Sequence, residues 1–299
     1  MSVHCRLSNT SLMLRVLHTL SIGKDSWSSC VFTRDVLVFH TAGDDQASTA
    51  SATIPRAMFS EYVVSTDIPR FMIHVPSLLD ALLMGGSGLL HSTTAKFVIA
   101  YPTGDGRLLV ELEDSRRTIQ STLSTRPVKD RLLDMRFSDA LAVNRITVRG
   151  DALLELLADI SAFQADTVRI AFTPTHLRIV GLDSPLGTAD ITIGKKHDAV
   201  LGFDVGDTTV CPKYHAQHLL RACGAHRSAG RGPQAAGGGG GDMGGMGFGG
   251  TSDGSGGFER LTIVINAERQ LCVMHQGLDH SIPALVNIVI SSVCELEDL

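Results

Sequence analysis

A group of histidines and a cysteine near the end of a helical pattern is the first candidate for chemistry in this sequence. His215, His218, Cys223 and His226 lie close together, and histidine and cysteine are common zinc ligands. His215 and His218 would share one helix face, but the longer step to Cys223 leaves that face. The pattern therefore favours solvated helix residues over a zinc site, and no bound metal is expected.

A second candidate is the acidic group Glu111, Glu113 and Asp114, which could bind the divalent metal of a nuclease. Glu111 and Glu113 alternate along a predicted strand and would project to one side, as the polar face of a half-buried sheet does. A nuclease needs acids that converge from separate elements, and the sequence identifies no others. No G-x-S-x-G nucleophile motif is present. A metal-dependent exonuclease is kept only as an alternative, and the preferred interpretation is a protein without catalysis or cofactor.

The segment 228–257 is dominated by glycine and holds 15 of the 30 glycines in the chain. Within it, Gly245-x-Gly247-x-x-Gly250 matches the letters of a dinucleotide-binding fingerprint. That fingerprint requires a strand before it and a helix after it, and the sequence offers neither. Because glycine loses the most backbone entropy on ordering, the segment is predicted to be a disordered insertion.

Composition limits the classes of protein that remain. The chain has 299 residues, 43% of them hydrophobic, and a formal net charge of −5, which predicts about two domains with cores of their own. An acidic balance excludes a generally basic nucleic-acid coat, and 5% aromatic residues argue against a protein that stacks unpaired bases. Six cysteines without a C-x-x-C pair, no secretory signal and no long apolar run predict a soluble protein of a reducing compartment.

Internal repetition is the most informative feature of the chain. Residues 14–41 align with 154–181 at a constant offset, so that Leu14-Arg15-Val16-Leu17 lies on Leu154-Glu155-Leu156-Leu157. After a gap of one residue, 49–54 aligns with 188–193, and Val75-Pro76 resembles Cys211-Pro212. The pattern predicts a duplicated chain with one domain at 1–123, a connector at 124–142 and a second domain at 143–299 that contains the glycine-rich insertion.

Hydrophobic periodicity predicts an α+β fold in which each domain has two helices packed on antiparallel β-sheets. Helices are predicted at 9–20, 77–84, 151–163 and 213–223. Strands are predicted at 28–33, 35–41, 49–54, 61–64, 70–74, 96–101, 107–113, 116–123, 144–148, 167–172, 176–181, 187–193, 200–203, 208–211, 259–266, 270–275 and 285–293.

Several runs give this chain a family resemblance. Leu14-Arg15-Val16-Leu17, the run 59–64, the run 71–82 and the acidic residues Glu295 to Asp298 are similar to Rad1-type subunits of the heterotrimeric DNA-damage checkpoint clamp, the nine-one-one complex. That complex belongs to the DNA sliding clamps, as does proliferating cell nuclear antigen. Two repeats joined by a connector also resemble the sliding-clamp fold.

The resemblance implies a non-catalytic subunit of a nuclear ring. Three chains with two domains each would surround double-stranded DNA or a primer-template junction, as a platform for checkpoint signalling and repair. The implied partners are two paralogous clamp subunits, a clamp loader and checkpoint or repair proteins, and no membrane. The close variant is a homotrimeric replicative clamp, which would need basic pore helices in both halves.

In this family the helices line the pore, which implies candidate phosphate contacts on the first and last helices and just beyond them: Arg15, Lys24, Lys213, Arg221 and Arg227. A pore wall needs only sequence-independent attraction to phosphates. The other two helices depart from that pattern, because 151–163 carries Asp151, Glu155 and Asp159 and no base, and 77–84 carries only Asp80. Paralogous subunits would then supply the attraction.

Two further surfaces are expected to bind proteins. The connector carries apolar residues that would either pack on the body or dock a partner: Val128, Leu132, Leu133 and Met135. Ring closure in this fold comes from edge strands that pair across subunits. By position these edges are 116–123 and 187–193, with the interface residues Arg116, Thr118, Gln120, Thr188, Asp190 and Thr192.

Overall fold

The structure, a computed structural model, describes residues 3–7, 10–23, 25–65, 68–84, 96–102, 106–113, 118–128, 135–224, 259–277 and 286–293. The glycine-rich segment at 228–257 lies outside the described residues. Within the described part, strands form three antiparallel sheets and four α-helices accompany them. The predicted α+β class, with two helices in each half, is confirmed.

The N-terminal half contains ten strands, two α-helices and one 3₁₀ turn in its described residues. They are β1 (Val3–Leu7), α1 (Thr10–Leu20), β2 (Trp27–Phe32), β3 (Val36–Ala42), β4 (Ser48–Pro55), the 3₁₀ turn Arg56–Met58, β5 (Phe59–Val64), β6 (Phe71–His74), α2 (Val75–Leu83), β7 (Lys96–Tyr101), β8 (Leu108–Glu113), β9 (Thr118–Leu123) and β10 (Thr125–Pro127).

The C-terminal half follows the same order. Its described elements are the 3₁₀ turn Asp139–Leu141, β11 (Ala142–Arg149), α3 (Gly150–Ala162), β12 (Thr167–Phe172), β13 (His176–Ser184), β14 (Gly187–Gly194), β15 (Val200–Val205), β16 (Lys213–His215), α4 (Ala216–Ala222), β17 (Arg260–Asn266), β18 (Leu271–Gln276) and β19 (Val286–Ile290).

Strand pairing distributes these elements over three sheets. The N-terminal sheet has the order β5-β1-β7-β8-β9, and the C-terminal sheet has the order β14-β13-β12-β16. The central sheet runs through both halves in the order β10-β6-β2-β3-β4-β19-β18-β17-β11-β15. Each outer sheet therefore packs on one half of the central sheet.

Aromatic side chains hold the sheets together. Phe71 of the central sheet stacks on Tyr101 of the N-terminal sheet with ring centroids 4.0 Å apart, and the hydroxyl of Tyr62 donates to the carbonyl of Thr33. In the other half, Phe172 approaches Phe203. Burying such large side chains removes much apolar surface from water, so these contacts stabilise each half.

The same backbone hydrogen bond starts the second helix of each half. Val75 N donates to Ser26 O and Ala216 N donates to Asp166 O, both at 2.9 Å. Val75 is therefore the counterpart of Ala216, which corrects the predicted match with Cys211. The duplication itself holds, because corresponding helix positions in α2 and α4 are buried in the same pattern.

The structure corrects one region of the predicted elements. Residues 208–211 are not a strand, and Lys213–His215 is strand β16 rather than the start of a helix. Tyr214 explains the difference, because its ring is fully buried and its hydroxyl donates to Arg269 O. β1 and β10 were not predicted, since short strands give weak periodic signals. No helix in the described ranges is both long and apolar enough to cross a membrane.

Candidate functional site

The two halves of the chain meet where β4 pairs with β19 in the central sheet. The antiparallel register places Ala52 opposite Val286, Ala50 opposite Ile288 and Ser48 opposite Ile290. Because β4 also pairs with β3 and β19 also pairs with β18, neither strand is left as an edge. We call this junction the seam.

Polar contacts of α4 reinforce the seam. The guanidinium of Arg221 donates through Nη1 to Ile22 O, just beyond the end of α1, at 3.0 Å. Nε2 of His218 lies 2.6 Å from Oδ2 of Asp45 in the turn between β3 and β4. Both contacts connect the last helix of the C-terminal half to the N-terminal half.

Burial and charge set the protonation of the His218–Asp45 pair. Burial lowers the pKa of His218, and the Asp45 carboxylate only partly opposes this. Burial also acts to raise the pKa of Asp45, but the amide of Ala47 and the His218 ring hold that pKa below its ordinary value. A neutral imidazole that donates its Nε2–H to a carboxylate accounts for both directions.

The counterparts of the seam strands, β9 and β14, lie at the edges of the two outer sheets. β9 pairs only with β8, and β14 pairs only with β13, so both are sheet edges among the described strands, as predicted. Thr118, Gln120, Thr188, Asp190 and Thr192 are exposed on these edges, and Arg116 lies outside the described residues. Their role in an interface stays a prediction.

Two of the exposed edge residues already have partners within the chain. Gln120 Nε2 donates to Glu111 Oε2 at 2.8 Å. Asp190 accepts from Nε of Arg178 at 3.0 Å, and this contact lowers the pKa of the Asp190 carboxyl. Such cross-strand pairs hold the polar face of each edge strand in place without occupying its free backbone groups.

The predicted phosphate contacts are not gathered in one basic patch. Lys24 and Arg227 lie outside the described residues. Arg15 is half-buried on α1, and Arg221 is half-buried at the seam. Lys213 sits on β16 rather than on a helix, 3.8 Å from Oδ2 of Asp183. DNA contact by these residues stays a prediction.

The described part of the connector region packs partly on the body. Met135 and Phe137 contact a small buried cluster on the central sheet formed by Val264, Cys272 and Val289. Val128 is half-buried, and Leu132 and Leu133 lie outside the described residues. The expectation that these residues pack on the body therefore holds for Met135, and partner docking stays a prediction.

The structure gathers neither alternative metal group as a full set, although the rings of His215 and His218 lie 5.3 Å apart. His218 bonds to Asp45, while Cys223 is fully buried in the core; His226 is outside the described residues. Glu113 pairs with Arg6 at 3.0 Å, and Asp114 is also outside. Among the residues that the structure describes, no three histidine, cysteine or acidic side chains are placed to hold a metal ion.

Sequence reasoning missed the residues that make the seam. It treats His218 as a solvated residue and Arg221 as a phosphate contact, and it does not use Asp45 at all. Each partner is far away along the chain, so no spacing rule could join them. The available signal was the duplication, because two similar halves in one chain can pair an edge of one half with an edge of the other.

Comparison with known proteins agrees with this architecture. The model of the family described as repair protein Rad1/Rec1/Rad17 matches residues 3–231. None of the curated proteins compared with the sequence matches it significantly.

Solved structures with the same fold are sliding clamps. Proliferating cellular nuclear antigen from Entamoeba histolytica superposes with a TM-score of 0.74 at 11% identity, over 98% of this chain and 99% of that chain. PCNA from Thermococcus kodakaraensis gives 0.72 at 12% identity, over 97% and 100%. The PCNA2–PCNA3 complex from Sulfolobus tokodaii gives 0.71 at 12% identity, over 98% and 100%.

These matches extend along nearly the whole chain, and they agree with the repeated halves and the continuous central sheet. The chain therefore belongs to the Rad1/Rec1/Rad17 family of repair proteins and has the DNA sliding-clamp fold.

Proposed function

We propose that this chain is a non-catalytic subunit of a heterotrimeric clamp that encircles double-stranded DNA at sites of damage in the nucleus. There it serves as a platform for checkpoint signalling and repair proteins. The observation that carries the proposal is the seam: β4 and β19 pair within the chain, while their counterparts β14 and β9 are sheet edges among the strands that the structure describes.

Pairing of these open strands between chains would close a ring. β9 is the last strand of the run β7-β8-β9, as β19 is the last strand of the run β17-β18-β19. β14 pairs with the preceding strand β13, as β4 pairs with the preceding strand β3. In the ring, β9 of one chain would pair with the strand that is equivalent to β14 in the neighbouring chain, so the contact joins two different surfaces. Such a head-to-tail contact closes a ring when the rotation per chain allows it, and it satisfies the unpaired backbone groups of both edges.

The seam also gives an expected register for this contact. The strand registers of the two halves make Ser121 the counterpart of Ile288, and Ala189 the counterpart of Ala50. At the seam, Ile288 lies opposite Ala50. Ser121 should therefore lie opposite the residue at the position of Ala189 in the neighbouring chain. A one-residue slip would turn every side chain to the wrong face.

The acidic helices of this chain are better suited to a ring that encloses DNA than to a surface that binds DNA tightly. α3 presents Asp151, Glu155 and Asp159, and α2 presents Asp80, without a basic residue on either helix. Phosphate attraction rises with the number of basic contacts, so this chain by itself would hold DNA weakly. A ring that includes more basic chains can remain on DNA by topology and still slide.

Reconstitution tests the proposal. The chain should be purified with its two paralogous clamp chains, its mass measured, and the complex loaded on nicked circular DNA. We expect one copy of each chain, and retention at high salt on the circle that is lost when the DNA is cut to a linear form. A chain that joins neither paralogue, or retention that does not depend on circularity, would refute the proposal.

Opposite edges of one sheet provide the matched variants. Ile119→Arg places a charge on β9, and Val63→Arg places the same charge on β5 at the other edge of the N-terminal sheet. Ile119→Arg should prevent ring assembly, and Val63→Arg should not. Circular dichroism and melting temperature of the isolated variants check that both still fold, which matters most for Ile119→Arg because Ile119 packs partly against the core.

A further inference from the structure

Two helices at equivalent positions differ along one face only. α1 and α3 align at the offset of the sequence repeat, and the residues that face the core are buried in both helices. These are Met13, Leu17 and Leu20 in α1, and Leu153, Leu157 and Ile160 in α3. The inner faces of the two helices are therefore packed alike.

The difference lies on the neighbouring face. In α1 and the turn after it, Leu12, Val16, Thr19 and Ile22 are at most 7% exposed, and Arg15 is half-buried. Their counterparts in α3 are all half-buried or exposed: Ala152, Glu155, Leu156, Asp159 and Ala162. These positions recur every three or four residues, so they form one stripe along each helix.

The seam explains why the α1 stripe is buried. α1 packs against β4 and also against β19, which belongs to the other half, and Arg221 of α4 reaches Ile22 O. α3 packs against β14, the counterpart of β4, but no further strand pairs with β14 in the described part of the chain. The α3 stripe thus lacks the cover that the seam gives to α1.

The open stripe of α3 is acidic where the covered stripe is basic or neutral. Glu155 stands at the position of Arg15, and Asp159 at the position of Thr19. Both line a cleft of about 370 Å³ between α3 and β14, together with the apolar side chains of Leu156 and Ile193 and the ring of His197. Such a surface suits a helix that combines apolar residues with a cation.

At the seam α4 reaches the end of α1 through Arg221, and the counterpart of α4 in the N-terminal half is α2. The shared hydrogen bond at the start of the two helices makes Asp80 the counterpart of Arg221. A second copy of this chain would therefore bring Asp80 toward Glu155, Asp159 and the carbonyl end of α3. Like charges repel each other, and a helix C-terminus favours cations over anions.

We propose that the acidic stripe of α3 is the docking site for the α2-like helix of a different clamp chain, which carries Lys or Arg at the position of Asp80. The same charges exclude a second copy of this chain. The inference rests on the proposed function, because a ring supplies the neighbouring helix, and it deepens that function by stating how the heterotrimer rejects a homotrimer. Charge complementarity selects between partners that share one backbone geometry.

Self-association of this chain provides a direct test. Wild-type chain and Asp80→Arg should be compared by sedimentation velocity over a range of concentrations at low and high salt. Asp80→Arg should lower the dissociation constant for self-association by about tenfold or more, in a salt-sensitive way. The triple variant with Glu155→Arg and Asp159→Arg should return to wild-type behaviour. If Asp80→Arg associates no better than wild type, the inference is wrong.

Assembly with the paralogous chains separates this inference from the proposed function. Glu155→Arg with Asp159→Arg should weaken binding to one paralogue by about tenfold or more. Glu268→Arg, the same charge reversal in the exposed turn between β17 and β18, should leave binding unchanged. If the wild-type chain and the double variant join the ring equally well, the docking site is wrong and the proposed function stands. If the wild-type chain joins no ring, the proposed function is wrong.

Discussion

At the seam Val16 is fully buried and Arg221 donates to the carbonyl of Ile22, whereas Leu156, at the position of Val16 in α3, is half-buried. These two regions have the same backbone plan and different side chains. The first stripe is covered by the other half of the same chain, whereas no described element of the chain covers the second. In the ring that we propose, the covered stripe forms a permanent internal contact and the open stripe can select its neighbour.

The largest effect should come from placing the same charge in both regions. Val16→Asp buries a carboxylate under the seam and should cost about 4 kcal/mol or more of unfolding free energy. Leu156→Asp, at the matching position of α3, should cost less than about 1.5 kcal/mol, because that side chain is already partly hydrated. Urea unfolding of the isolated chain measures both. Equal losses would show that the α3 stripe is as covered as the seam.

A smaller effect is expected from low pH, which should reduce the free energy of unfolding through a histidine that only the C-terminal half has at this position. His275 is buried on β18 and bonds to Ala222 O, where the N-terminal half has Leu112 on β8. Burial lowers the pKa of His275 to about 4 from an ordinary value of 6.5. Since the unfolded state then takes up the proton first, the stability contributed by neutral His275 is lost as the pH falls from 6.5 toward 4.

The measurement is urea unfolding at pH 7 and pH 5. Between these values the wild type should lose about 2 kcal/mol more than His275→Gln, which keeps a donor but does not titrate. The matched control is Leu112→Met, a volume-conserving change at the counterpart position, and it should show the wild-type pH dependence. An identical pH profile for wild type and His275→Gln would contradict the assignment.

The smallest effect should come from the one large difference in length between the halves. α2 ends at Leu83 and β7 begins at Lys96, while α4 ends at Ala222 and β17 begins at Arg260. Deleting 228–257 should change the melting temperature by less than about 3 °C, because the cost of closing a long loop depends only weakly on its length. Differential scanning calorimetry checks this. A larger fall would mean that the insertion supports the C-terminal half.

Much of the fold could be predicted because its signals are local. β7 and β12 have the bounds that their alternating patterns predict, and α1 differs by one residue at its start. β16 was mistaken for helix because Pro212 resembles a first-turn proline, as Pro76 in α2 is. The burial of Tyr214 against another sheet decides for a strand, and no local pattern reports that contact.

The candidate site was less predictable for the same physical reason. Exposed edges β9 and β14 follow from the order of elements, and the acidic character of α3 follows directly from Glu155 and Asp159. The pairing of His218 with Asp45 depends on two segments that meet only after both halves have folded. Arg221 was assigned to DNA because a helix position alone does not show which neighbour its side chain reaches.

The sequence by itself determined the duplication, the α+β class, the edge strands and the charge of each helix, since periodicity and composition act within a few residues. Only the tertiary structure decided which of two equivalent helix faces is covered, because that depends on the pairing of β4 with β19 across the chain. It also shows that Glu155 and Asp159 of the acidic helix α3 line a cleft beside β14. Burial is a property of the assembled sheets, and no single segment encodes it.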